Sequence, residues 1–211
     1  MADVSIPRPA LGRPKDPAKR AAILEAAKQL FAEQGFDGVS MDAIARQAGV
    51  SKLTVYSHFG DKDGLLRAVV QAHCDQDLPI EMFEPRPEVP LRERLSDIAA
   101  AFYNMATHPE AIAGYRMLCV PQATCGKLAD LFWEAGPARI QRDLAALLAR
   151  RDAAGELRID DAEQAANHFF ALAKGNAHAR LLIGLDSGLD PAETRRHLHD
   201  VVELFLRAYR P

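Results

Sequence analysis

The stretch from Ser40 to Lys62 constrains this chain more than any other part of it. Ser40 is placed to cap a short helix whose apolar residues, Ile44, Ala45 and Ala48, share one face. Gly49 then supplies the left-handed backbone of a tight turn, and Val50 is an apolar plug for it. Ser51 is placed to cap a second short helix that buries Val55 and Phe59. That helix leaves Lys52, Thr54, Tyr56 and His58 free to point elsewhere. Asp61 and Lys62 open a third helix at once. The spacing predicts a helix-turn-helix embedded in a small helical unit.

The residues on either side extend the pattern. Ile23-Leu-Glu-Ala-Ala-Lys-Gln-Leu-Phe-Ala-Glu-Gln-Gly-Phe36 precedes it, and Thr54-Val-Tyr-Ser-His-Phe-Gly-Asp-Lys-Asp-Gly-Leu-Leu66 closes it. Several elements agree in order and spacing over about residues 17–70. Together they resemble the DNA-binding domain of the TetR family of transcriptional regulators. The resemblance implies an all-α chain: an N-terminal three-helix helix-turn-helix domain and a larger helical domain for ligand binding and dimerisation. It also implies that the second short helix enters the major groove of DNA.

Composition agrees with an all-α reading. The 211 residues are rich in Ala and Leu and show little period-2 alternation. Cys74, Cys119 and Cys125 are odd in number and form no CxxC pair, so they read as reduced thiols. No apolar run approaches a membrane span, and the start of the chain lacks the apolar core of a signal peptide. The expectation is a cytoplasmic protein. The net charge of −3 conceals an asymmetry. Residues 1–62 carry +2 and the remainder −5, the sign expected for nucleic-acid contact at the N-terminal end. Arg8, Arg13, Lys15, Lys19 and Arg20 cluster there. Residues 1–15 form either a flexible solvated tail or a basic arm along phosphates or a minor groove.

Punctuation places the helices. Asp16-Pro17 opens the first, which runs to Gln34 and stops at Gly35. Asp61 caps the fourth, which runs to about Asp77 and connects the reading domain, residues 16–62, to the rest. Four prolines between Leu78 and Pro90 forbid continuous helix. The ligand and dimerisation domain is placed at 78–211. Its helical patterns cover Leu91–Thr107, Pro109–Val120, Cys125 to about Ala154 with an interruption at Gly136-Pro137, a segment opened by Asp160-Asp-Ala-Glu163 and running to about Leu185, and Asp190 to Tyr209.

Pro109-Glu-Ala-Ile-Ala, Leu131-Phe-Trp-Glu-Ala-Gly-Pro137 and Gly155-Glu-Leu-Arg-Ile-Asp-Asp161 resemble the C-terminal domain of the AefR-like branch of the same family. That resemblance implies a homodimer through the last two helices. The residues permit it: Ala165, Ala166, Ala171, Ala173, Gly175, Ala177 and Ala179 allow close approach. Leu198, Val201, Val202, Phe205 and Tyr209 recur at helical spacing. A twofold dimer sets two recognition helices about one DNA turn apart.

Site residues follow from the resemblance, position by position. Lys52 is matched to guanine O6 or N7. Thr54 is matched to a thymine methyl or a phosphate, and Tyr56 and His58 to phosphates. Lys62 is matched to a backbone phosphate, and Ser40 to a cap that also meets one. Ser51 is either a pure cap or a DNA contact. Leu53 either meets a thymine methyl or narrows base choice. The partners implied are a double-stranded DNA operator and a small-molecule effector.

For the effector, the candidate lining is Phe102, Met105, Tyr115, Cys119, Phe132, Trp133, Phe169 and Asn176. Asn104, Arg116, His168 and His178 are further polar handles. His197 and His199 lie two apart and share no helix face, so no metal site emerges from them. Neither a cofactor motif nor GxSxG, a P-loop, HExxH or a dinucleotide glycine signature is present. The expectation is a ligand-responsive regulator, most simply a repressor released from a palindromic operator by an apolar or amphipathic effector, and not an enzyme.

Overall fold

The computed structural model of the chain describes residues 16–119, 125–185 and 190–211. The basic tail and the break at Pro121 lie outside the described residues. Within them the chain is all-α, with ten α-helices and one 3-10 turn.

Helix α1 (Pro17–Gly38) starts where the Asp16 carboxylate accepts the Ala18 and Lys19 amides, with Pro17 in the first helical position. Gly35 breaks it at φ 71°, ψ 168°. Phe36 then folds back, its ring 5.5 Å from Phe31. α2 (Met41–Gln47) and α3 (Lys52–Phe59) are capped by Ser40 and Ser51, whose hydroxyls accept the Ala43 and Thr54 amides, each at 3.1 Å. Gly49 turns the chain between them at φ 65°, and the Val50 amide donates to the Ala45 carbonyl at 3.0 Å. α4 (Lys62–Asp77) begins at the Asp61 cap. Ile23, Ile44, Val55 and Leu65 are all 0% exposed and pack under these four helices. Burying each such side chain contributes roughly 1.5–3 kcal/mol, which holds the short α2 and α3 in place although neither would persist alone.

The proline segment contains only the 3-10 turn Ile80–Met82, as the four prolines require. It is pinned rather than loose. The buried Arg94 donates to the Glu84 carbonyl at 2.9 Å, and the buried Arg151 to the Arg86 and Val89 carbonyls at 3.0 Å. The rest of the chain comprises α5 (Leu91–Thr107), α6 (Pro109–Cys119), α7 (Cys125–Ala135), α8 (Pro137–Ala153), α9 (Ala162–Leu182) and α10 (Pro191–Ala208). Gly136-Pro137 does separate α7 from α8. α9 is capped by Asp161 and ends before Leu185.

α9 is broken at Gly175, where φ is 51°. A Cβ there would sit 3.0 Å from the His197 ring. The absence of one lets His197 Nε2 approach the Ala173 carbonyl at 3.1 Å and lock α10 to α9. Below this, Phe169 of α9 meets Phe205 of α10 edge to face at 5.2 Å.

Candidate functional site

The outward side of α3 carries the residues read as DNA contacts. Leu53 is 79% exposed and Tyr56 41%. Lys52 is exposed and makes a 2.8 Å ion pair with Asp42 of α2. Its hydrogen bond to that carboxylate raises its pKa above the ordinary lysine value. The ammonium also lies 5.9 Å from the Tyr56 ring centroid. Ser51 and Thr54 hydroxyls share a hydrogen bond of 2.8 Å, so Thr54 is turned toward the cap. His58 is half-buried beside Phe59, with ring centroids 5.9 Å apart. Ser57, which the sequence reading passed over, is exposed on the same helix and donates to the Thr54 carbonyl.

Lys62 sits differently from the phosphate-facing position that the resemblance implies. Its ammonium donates to the Phe36 carbonyl at 2.8 Å and the Val39 carbonyl at 3.0 Å, and lies 4.3 Å above the Phe36 ring. Two of its three donors thus join α4 to the last turn of α1 and its C-cap. The Phe36 carbonyl also accepts the Val39 amide at 3.3 Å, and no sequence pattern signals that a lysine 26 residues on will reach it.

Between the N-terminal helices and the rest lies a cavity of about 470 Å³. Phe102, Met105, Tyr115, Phe132 and Trp133 line it, as read from the sequence. Cys119, Phe169 and Asn176 do not. Cys119 and Asn176 are exposed elsewhere, and Phe169, at 0% exposure, is committed to Phe205. The neighbouring Phe170 lines the cavity instead, stacked at 4.2 Å on Phe102. Of the proposed handles, none lines it. Arg116 donates to the Leu181 and Leu182 carbonyls at the end of α9, and His168 joins Gln164 to the Tyr209 hydroxyl.

The polar groups that do face the cavity were missed. Glu25, Lys28, Gln29 and Glu33 come from α1, His73 from α4, Glu110 from α6, Gln141 from α8 and Lys174 from α9. In α1 they lie opposite the buried stripe and look like any solvated face. Lys28 and Glu110 form a 2.7 Å ion pair. Burial works against the Lys28 charge, but hydrogen bonds to Glu110 and Glu25 outweigh it and hold the ammonium above its ordinary range. Burial likewise works against the Glu110 carboxylate, yet Lys28 holds it below the usual range. His73 and His108 approach the same carboxylate at 3.6 and 3.9 Å. Ligand atoms of His73, His108 and Glu110 lie within 4.8 Å of one another, the group that among the described residues is able to hold a metal ion. Burial pushes the Cys74 thiol up to about 11, so this cavity residue stays neutral. Of the three cysteines, Cys74 and Cys119 are free thiols, and the Cys125 side chain lies outside the described residues.

The pairing face also needs correction. Leu198, Val201, Val202 and Phe205 are buried within the chain. Tyr209 packs on Phe205 at 4.6 Å. The large apolar side chains that remain exposed on and just beyond α9 and α10 are Leu172, Ile183, Leu185 and Leu204. Ala171 and Ala179 are exposed as well.

The family comparison turns this geometry into an identity. Residues 23–69 match the model described as bacterial regulatory proteins, tetR family, and residues 93–211 match the AefR-like transcriptional repressor, C-terminal domain. The chain belongs to the TetR family of transcriptional regulators. The family and the relatives are regulators, not enzymes. The solved structure of the flavonoid-responsive regulator FrrA is 35% identical, with a TM-score of 0.74 over 93% of this chain and 99% of that one. The transcriptional activator FasR of Mycolicibacterium smegmatis is 35% identical over 50% of this chain, which spans 47% of its length. The transcriptional repressor ComR of Escherichia coli is 30% identical over 69% of this chain and 70% of its own. As in other TetR-family regulators, the N-terminal helices are a DNA-binding unit. Among the described residues no helix is long and apolar enough to cross a membrane.

Proposed function

We propose that the chain is a cytoplasmic, ligand-responsive TetR-family repressor. It binds a palindromic operator as a homodimer and leaves it when a small amphipathic effector fills the cavity. One observation carries this reading: the cavity wall includes α1 of the DNA-binding unit as well as helices of the C-terminal domain. A ligand there bears directly on the element that carries α2 and α3. Ligand affinity then differs between arrangements of the reading unit, and DNA affinity changes by the same coupling. The names of the relatives include an activator and a repressor. Repression is the simpler reading, because a dimer covering two half-sites excludes other proteins without any further surface.

On the DNA side, Lys52, Leu53, Tyr56 and the Ser51–Thr54 pair carry base and phosphate contacts in this reading, with Ser40 and His58 at the flanks. Lys62 serves mainly by holding α4 to the Phe36–Val39 segment. Dimerisation uses α9 and α10 through Leu172 and Leu204.

The test is selection of bound fragments from random duplex DNA at physiological salt, followed by a release screen with small amphiphiles. A short palindrome with half-sites about one turn (~34 Å) apart, released by at least one compound, is the expected result. An enriched operator that no compound releases would leave a DNA-binding protein without a sensor.

A further inference from the structure

Lys174 is a charged cavity residue with no ion-pair partner among the described residues. It lies on α9 immediately before the Gly175 break and is half-buried against the cavity. It makes no hydrogen bond or ion pair among the described residues. Glu25, Glu33 and Glu110 also line the cavity, yet none pairs with it. The cavity wall also includes the apolar Phe102, Phe170 and Met117. Burial alone lowers its pKa from the ordinary lysine value. A half-buried ammonium with no carboxylate beside it is free to meet an anion that enters the cavity.

A second orphan lies four residues on. His178 is 7% exposed, and its Nε2 has no hydrogen-bond partner. Its ring stands edge-on to Tyr115 at 5.0 Å, and Tyr115 lines the cavity. Burial, and then the Lys174 charge, keep this imidazole neutral. Lys174 on the cavity wall and His178 behind Tyr115 thus set a cation and an unsatisfied neutral ring on neighbouring turns of α9. The opposite case is found at Lys28, whose charge is already met by Glu110 and Glu25.

We propose that Lys174 is the anion-recognition residue of the cavity, and that the effector is an amphiphile with an apolar or aromatic body and a single carboxylate. The inference rests on the reading of the cavity as an effector site. Its volume lies within the range of sites that enclose small ligands. The carboxylate replaces water around the Lys174 ammonium with a charge-assisted hydrogen bond. The body fills the apolar part of the cavity.

The test uses decanoate and 1-decanol, together with naphthalene-2-acetate and its alcohol, 2-(2-naphthyl)ethanol. Each competes with the fluorescent probe 1-anilinonaphthalene-8-sulfonate on the whole 211-residue chain. Wild type is expected to bind each acid about 10-fold or more tighter than its alcohol. Lys174→Met is expected to remove that preference while retaining the alcohols, and Lys174→Arg to keep it. Thermal denaturation without ligand should show Lys174→Met folded and at least as stable as wild type.

Acids and alcohols binding wild type alike would overturn the assignment of Lys174 but keep the cavity as a ligand site, as would an acid preference that survives Lys174→Met. Binding of none of the four compounds or the probe would overturn both this assignment and the effector reading beneath it.

Discussion

Lys28 of α1 and Glu110 of α6 meet in a 2.7 Å ion pair across the junction between the DNA-binding unit and the C-terminal domain. Both residues line the cavity, so the pair ties α1 to α6 at its edge.

Glu110→Gln should lower thermal stability by at most about 1 kcal/mol, since both side chains are partly solvated and screened. That corresponds to roughly 2–4 °C for a chain of this size. The carboxylate is held below its ordinary pKa, so its contribution is fully present above the unfolded value of about 4.3 and fades as pH falls through the folded value. Melting curves of wild type and variant should stay a constant distance apart from about pH 8 to 5 and converge only below about pH 4. Convergence already near neutral pH would show that the Glu110 carboxylate does not carry the effect.

Lys62→Met should destabilise the fold by about 2 kcal/mol, because two carbonyls lose a charged donor at once. Weaker operator binding would accompany the lower melting temperature. A variant as stable as wild type that still loses DNA binding would return Lys62 to the phosphate backbone.

Lys52→Ala should leave melting unchanged and reduce the salt slope of operator binding by about 0.9, the release of one counterion. Asp42→Asn should act oppositely at low salt, since it frees the Lys52 ammonium from its 2.8 Å partner. Fluorescence anisotropy across a salt series reads both. Tyr56→Ala should weaken binding with the dimer intact, and wild-type affinity in that variant would remove Tyr56 from the interface.

Leu204→Glu should yield monomers in analytical ultracentrifugation and abolish tight operator binding. Leu204 is 48% exposed on α10, so a monomer tolerates the charge whereas an apolar pairing face does not. A dimer that persists would move the pairing face away from this part of α10.

What the sequence disclosed and what it withheld divide along a physical line. The caps at Asp16, Ser40, Ser51, Asp61, Asp161 and Asp190 all lie within residues that the punctuation singled out. A cap is a bond between residues two or three apart, so local order contains it. The exposed face of α3 was legible for the same reason. The cavity was not, because seven helices build it. Phe169 and Phe170 are adjacent and chemically identical, and only the helical phase of α9 sends one to Phe205 and the other to Phe102. Leu198, Val201 and Phe205 form an apolar stripe that suits an intrachain core as well as a dimer, and hydropathy cannot distinguish the two. Lys62 and Lys174 illustrate the same gap: one is claimed by carbonyls at the end of α1, the other by no ion-pair partner among the described residues.

The cavity wall contributed by α1 bears on how regulators of this build can be recombined. Exchanging α1–α3 for those of another family member replaces Glu25, Lys28 and Gln29 along with the recognition helix. Such a chimera would acquire a new operator and, in the same step, an altered sensor. A clean transplant would have to cut within α1, keeping its cavity side from one parent and its contacts to α2 and α3 from the other.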